Sequence, residues 1–185
     1  MNHALWLLAT LGVIGAFDTL YFHEYRARLP ARGPAVAIEL RLHATRDFCY
    51  ALLFGTLPWL EYRGAFAFLL FAVLAAEIVL TLADFGVEDR VRAPFGGVLW
   101  AERVTHSVMG IVYGAMLAHM LPDVAAWSEA PTALARTTSA VPAPLRVVLT
   151  VMSLGVALSG LRDLASSCGM RRAAWPLHPI RGSLS

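Results

Sequence analysis

Lysine is absent from the 185-residue chain, so all 15 basic side chains are arginine. Charge is scarce altogether: Asp, Glu, Lys and Arg make up 15% of residues, against about a quarter in ordinary soluble domains. The formal net charge of +2 is too small to imply a nucleic-acid partner. The two cysteines, Cys49 and Cys168, lie far apart and match no CxxC or Cys/His finger spacing. That excludes a disulfide framework and a structural zinc site. What remains is apolar: 58% hydrophobic residues and a mean hydropathy of +0.61. Such a composition excludes a disordered chain and predicts a small integral membrane protein.

A membrane span needs roughly 20 mostly apolar residues, and five stretches approach that length. They run from about Ala4 to Phe22 (continuing to Arg28), Val36 to Leu60, Gly64 to Arg92, Val98 to Leu121, and Leu145 to Leu164. The first has no basic residue ahead of its apolar core and no small-residue cleavage site behind it, so it reads as a retained helix and not as a signal peptide. Glu61-Tyr62-Arg63-Gly64 reads as a tight turn, and residues 123–144, rich in Ala, Pro, Ser and Thr, as an irregular connection. The expected fold is all-α: an integral membrane bundle of five transmembrane helices. Residues 1–122 would form an antiparallel four-helix core, 123–144 an extracytoplasmic connection, and 145–185 the fifth helix with a cytoplasmic tail.

Arginine placement orients this bundle. Arg26, Arg28, Arg32, Arg41, Arg46, Arg90, Arg92, Arg103, Arg171, Arg172 and Arg181 collect on one side, while Arg63, Arg136 and Arg146 fall on the other. The positive-inside rule makes the first side cytoplasmic, with the N-terminus outside, the C-terminus inside and a bacterial inner membrane as the expected location. Trp6, Trp59, Trp100 and Trp127 fall near helix ends, as an aromatic belt requires.

Charged side chains inside the apolar slab are costly unless paired, hydrated or metal-bound. Here they follow a pattern. The first helix carries Asp18, Thr19, His23 and Glu24; the second Glu39, His43 and Asp47; the third Glu77, Thr81, Asp84 and Glu88; the fourth Glu102, His106 and Tyr113. Steps of three and four residues place each set on one helical face. Counted from the cytoplasmic helix ends, Glu24, Glu39, Glu88 and Glu102 form one layer and His43, Asp84 and His106 a second, about 5 and 11 Å deep at helical rise, with His23 between them and Asp18, Asp47 and Thr81 deeper. The two halves also echo each other: Glu39-Leu-Arg-Leu-His43 follows the first cytoplasmic loop and Glu102-Arg-Val-Thr-His106 the second. Two pseudo-repeated hairpins with a site between them would account for this.

Carboxylates and imidazoles converging from four helices suit a non-haem dinuclear metal site, in which carboxylates bridge the cations and imidazoles supply terminal nitrogen. The pattern over residues 18–113 resembles the ferritin-like di-iron carboxylate proteins, where two helices give a Glu and two give a Glu/His pair. The resemblance implies His23, Glu39, His43, Asp84, Glu88, Glu102 and His106 as ligands, with Glu39/His43 and Glu102/His106 as the pairs. It implies two metal ions, iron first with manganese and zinc as alternatives. Here the Glu/His spacing is i+4 instead of i+3, the first helix offers a histidine, and the bundle is membranous. The deeper Asp47 and Tyr113 are the candidates for proton handling or hydrogen bonding beside the reacting atoms. The expected activity is a dioxygen-dependent oxidoreductase, a hydroxylase or desaturase of a hydrophobic substrate. Such an enzyme needs an electron donor protein, and a homo-oligomer is compatible with it.

Other readings stay open at this stage. His43 and His106 at equal depth could ligate one b-type haem. A metal or proton transporter would use the same stripes as a path, with Asp47, Glu77 and Tyr113 as important as the histidines. Arg41, Arg46, Arg90 and Arg103 could neutralise the acids in ion pairs with no metal at all. The fifth helix offers only Arg162 and Asp163 at its inner end and is expected outside the four-helix core or at an oligomer contact. His3, His119 and His178 are terminal or on the opposite face and read as non-ligands.

Overall fold

The apolar runs form helices because backbone in hydrocarbon has no water to bond and must pair its N–H and C=O groups within its own segment. The computed structural model describes residues 1–170; Arg171, Arg172, His178 and Arg181 lie outside the described residues. Helix α1 spans Asn2–Phe17 and continues without a break as a π-helix through Asp18–Arg26. Arg28, at φ +53°, ends it. A one-turn α2 (Leu29–Arg32) and a 3-10 turn (Gly33–Val36) lead into α3 (Ala37–Thr56). Strand β1 (Leu60–Arg63) precedes α4 (Ala65–Arg92), and a 3-10 turn (Ala93–Phe95) precedes α5 (Trp100–Ser128). Strand β2 (Ala133–Arg136) and α6 (Ala143–Ser167) complete the chain.

Four helical segments are long and apolar enough to cross a membrane: Asn2–Arg26, Ala65–Phe95, Trp100–Ser128 and Ala143–Ser167. The second expected span, α3, falls short of that hydropathy because Glu39, Arg41, Arg46 and Asp47 all lie in its 20 residues. The molecule is turned inside out relative to a soluble protein. Large apolar side chains such as Leu20, Phe68, Val79, Leu82, Ile111 and Leu158 face outward, whereas Glu39, Asp84, Glu88, Arg92 and Glu102 are buried. In water that surface would be an extended sticky patch; in hydrocarbon it is the favourable one. These are the features of an integral membrane protein.

The helices form a ring in the order α1, α5, α4, α3, α6, with α6 returning to α1. The most extensive helix contact is α3 against α6, so the fifth long helix belongs to the bundle and is not peripheral. Gly160 allows this approach: a Cβ there would meet the Asp47 Cβ at 3.0 Å and the Ala44 carbonyl at 3.1 Å. Leu5, Leu8, Leu53, Leu57, Leu70, Met116, Met120 and Leu149 fill one half of the ring as an apolar core. The charged residues occupy the other half.

The apolar end is closed by structure the sequence did not announce. The expected turn at 61–64 is strand β1, paired antiparallel with β2 from Leu60↔Arg136 to Arg63↔Ala133. The connection expected at 123–144 therefore begins as helix, to Ser128, and then contributes that strand. Burial works against the charged form of Glu61, but the Thr138 amide (2.7 Å), the Thr138 hydroxyl (2.8 Å) and Arg63 outweigh it. Its carboxyl is held below the usual range.

Candidate metal centre

At the charged end the ring positions nine side chains from five helices around one interior. The π-helix matters first. Its hydrogen bonds run from i to i+5, as from the Ala27 N–H to the Phe22 carbonyl (2.7 Å), which brings residues five apart onto one face. Asp18 and His23 thereby meet, with Oδ2 3.3 Å from Nε2. The Asp18 Oδ2 also lies 3.2 Å from His106 Nε2 of α5, and His23 Nε2 lies 3.3 Å from Glu102 Oε1. Asp18, His23 and His106 form one group whose ligand atoms lie within 4.8 Å of one another.

A second group of the same kind is Glu39, His43 and Asp84. The i, i+4 step on α3 sets Glu39 Oε1 4.0 Å from His43 Nε2, and Asp84 of α4 reaches that nitrogen at 3.1 Å. The two groups touch: the His23 and His43 rings stack face to face, with centroids 4.5 Å apart and planes 8° from parallel. Glu88 Oε2 stands 3.9 Å from His106 Nδ1, and Asp163 Oδ2 of α6 stands 3.9 Å from His43 Nδ1. Arg92, buried to 2% exposure, joins the halves by donating to Glu39 (Nε···Oε1 2.6 Å) and to Glu102.

All seven ligand residues expected from the sequence are thus brought together. The expected ligand set leaves out Asp18; five residues from His23, it meets that ring because the segment is a π-helix, where a regular α-helix would part them. Asp163 was assigned to a helix outside the core. Asp47 and Tyr113 belong to neither group. Asp47 lies one turn beyond His43, beside Gly160, and the Tyr113 hydroxyl donates to the Leu74 carbonyl at 3.0 Å. Tyr50, unassigned before, donates to Glu77 Oε1 at 2.7 Å, which also accepts from the Thr81 hydroxyl at 2.9 Å. Arg46 sits between Glu77 (3.5 Å) and Asp84 (3.3 Å). Glu24 pairs with Arg162 of α6.

The charges do not balance. Asp18, Glu24, Glu39, Glu77, Asp84, Glu88, Glu102 and Asp163 are buried, and only Arg46, Arg92 and Arg162 pair with them among the described residues. Three protonated imidazoles would still leave carboxylates in excess. Nor are the polar atoms satisfied: Asp18 Oδ1, Glu39 Oε2, Asp84 Oδ1, Glu88 Oε2, His43 Nδ1 and His106 Nδ1 are buried without a hydrogen bond among the described residues. Each such atom costs about 1–3 kcal/mol in an apolar interior, more where it is charged. The donor set is oxygen and imidazole nitrogen with no thiolate, a mixture that suits iron, manganese or zinc.

No protein-family model matches the chain, and neither does any curated protein or solved structure.

Proposed function

We propose that the chain is a membrane-embedded oxidoreductase built on a dinuclear non-haem metal centre, with iron the expected metal and manganese or zinc the alternatives. The observation that carries this reading is the excess of buried, unpartnered carboxylate oxygens and imidazole nitrogens. Two divalent cations would offset most of the uncompensated charge of these buried carboxylates. Asp18, His23 and His106 would hold one cation, and Glu39, His43 and Asp84 the other. Glu88 and Glu102 stand within reach to complete or bridge the pair. Asp163 Oδ2 stands 3.9 Å from His43 Nδ1, on the side where a carboxylate would orient a metal-bound imidazole.

Bound there, two redox-active metals supply binding and reduction of dioxygen, with electrons from a donor protein. The residues of this chain do the rest. The apolar core on the sheet side excludes water. Arg92 holds Glu39 and Glu102 at fixed separation. Arg46, held between Asp84 and Glu77, and Tyr50, donating to Glu77, fix the carboxylates on that side of the site. The substrate is hydrophobic and reaches the centre from the bilayer, and its reaction is a hydroxylation or desaturation.

The wider architecture follows from the same reading: five spans including α3, two hairpins in pseudo-repeat joined by Arg92, and the site end facing the cytoplasm of a bacterial inner membrane. A b-type haem fits less well. The Nε2 atoms of His43 and His106 are engaged by the carboxylates of Asp84 (3.1 Å) and Asp18 (3.2 Å), where a haem iron would have to stand. A pure ion-pair network leaves the unpartnered atoms unexplained. Metal content of protein purified in detergent tests the reading. Two transition-metal ions per chain are expected, falling in the His43→Ala and His106→Ala variants. Metal-free wild-type protein, or metal content indifferent to both variants, excludes it.

A further inference from the structure

A cavity of about 320 Å³ runs between α1, α3 and α6, and its walls change character along its length. At one end it is lined by Asp18, His23, His43 and Asp163; at the other by Leu11 and Phe54. His43 and Phe54 stand eleven residues apart on α3, about 16 Å at helical rise, so the cavity extends along the helices. An extended hydrocarbon chain suits a volume and a length of that order.

The mouth is lateral. Ala16 and Leu20 of α1 and Gly155 of α6 line the cavity and are exposed on the outer surface, within segments long and apolar enough to be in the bilayer. The sheet-side end is shut where Gly12 brings α1 against its neighbours: a Cβ there would meet Met152 Sδ at 2.8 Å and Phe54 Cζ at 3.0 Å. A molecule entering sideways therefore lays its chain along the helices, with one end at the histidines.

The closed polar end selects that terminus. Asp18, Asp47 and Asp163 line it as acceptors, and the arginine there, Arg46, is already engaged by Glu77 and Asp84. We infer that the cavity between α1, α3 and α6 binds a single-chain lipid, its polar end (a neutral hydroxyl) at the histidine–carboxylate cluster and its tail extended toward Phe54. This names the substrate class of the reading above and rests on that reading only for the reaction; the slot itself stands on cavity shape and lining. It also fixes the reacting carbons as those near the head of the chain and not those at its far terminus.

Photo-crosslinking of the full chain in lipid nanodiscs tests the slot. Two dodecanol probes are used, one with a diazirine beside the hydroxyl and one with it at the far end of the chain. The head probe is expected to label the α1 and α3 segments around Asp18–His23 and His43–Asp47, and the tail probe those around Leu11 and Phe54. Gly155→Phe and Gly15→Leu fill the slot from its two walls. Gly155 has open space for a Cβ, and at Gly15 the nearest contact is Met109 Cε at 3.5 Å, so neither position rejects a side chain at its first atom, and the melting temperature of each variant is checked against wild type. Excluding even two buried methylenes weakens binding about tenfold, and labelling should fall by that factor in each variant. Reversed order of the two probes, label confined to outward-facing residues, or labelling unchanged by both variants overturns the inference. Metal content is measured on the same samples, so the two readings fail separately. Ordered labelling of metal-free protein upholds the slot while the metal reading falls; metal-replete protein with labelling indifferent to both variants overturns the slot alone.

Discussion

At the scale of single residues, Arg92 separates a metal centre from an ion-pair network. Its guanidinium is the counter-charge that Glu39 and Glu102 share. Arg92→Gln leaves both carboxylates buried, a loss of about 3–5 kcal/mol when one partner of a buried pair is removed. If cations belong beside these acids, added divalent iron, manganese or zinc should restore much of the lost thermal stability; an ion-pair network would show no such rescue. Asp163 gives a finer test. It touches His43 on the side away from Asp84, so Asp163→Asn should weaken metal affinity about 10- to 100-fold, as loss of a carboxylate behind a ligand histidine does, with the fold intact. Competition with a chelator measures it, and unchanged affinity would remove Asp163 from the site. Residue spacing revealed most of this cluster in advance. Glu39/His43 and Glu102/His106 are four apart on regular α-helices, where period alone fixes the shared face. Asp18 and His23 are five apart, which a regular helix separates and only the π-helix unites. Asp163 escaped because a single acid makes no periodic pattern.

Among the elements, the two-stranded sheet shows where sequence reading stops. Four-residue strands separated by some seventy positions carry too little pattern to find each other, and β1 looked like the turn it partly is. Its stability depends on pH in a definite direction. The folded carboxyl of Glu61 titrates below its ordinary value near 4.5, so the unfolded chain binds more protons in that window. The contribution of Glu61 is complete above about pH 4.5 and is lost as pH falls through the lowered value. Protection of the amides in 60–63 and 133–138 against hydrogen exchange, taken relative to the intrinsic rate at each pH, should fall below that pH in the wild type, and Glu61→Gln should remove the dependence. Gly64 makes the turn from β1 into α4. At φ +57°, with Thr132 backbone atoms 2.6–2.7 Å from where a Cβ would sit, Gly64→Ala should destabilise the protein by more than the ~1 kcal/mol typical of a strained glycine site. A melting temperature equal to wild type would contradict that placement.

The whole molecule is a ring of five long helices with an apolar half and a charged half. Composition announced the membrane, and the long apolar segments were legible from length alone. The role of α6 was not, because its contact with α3 is made through Gly160 and small surface detail that leaves no hydrophobic signature of its own. Burial of so many acids in one half of a membrane bundle is costly unless something positive shares that space, and this is the claim on which function depends. X-ray absorption at the metal edge of the purified full chain tests it most directly. The expected result is two metals per chain, each with a nitrogen and oxygen shell at about 2.0–2.2 Å and a second metal as a scatterer beyond it. A metal-free sample, a porphyrin signature, or a single ion with a sulfur shell would contradict it.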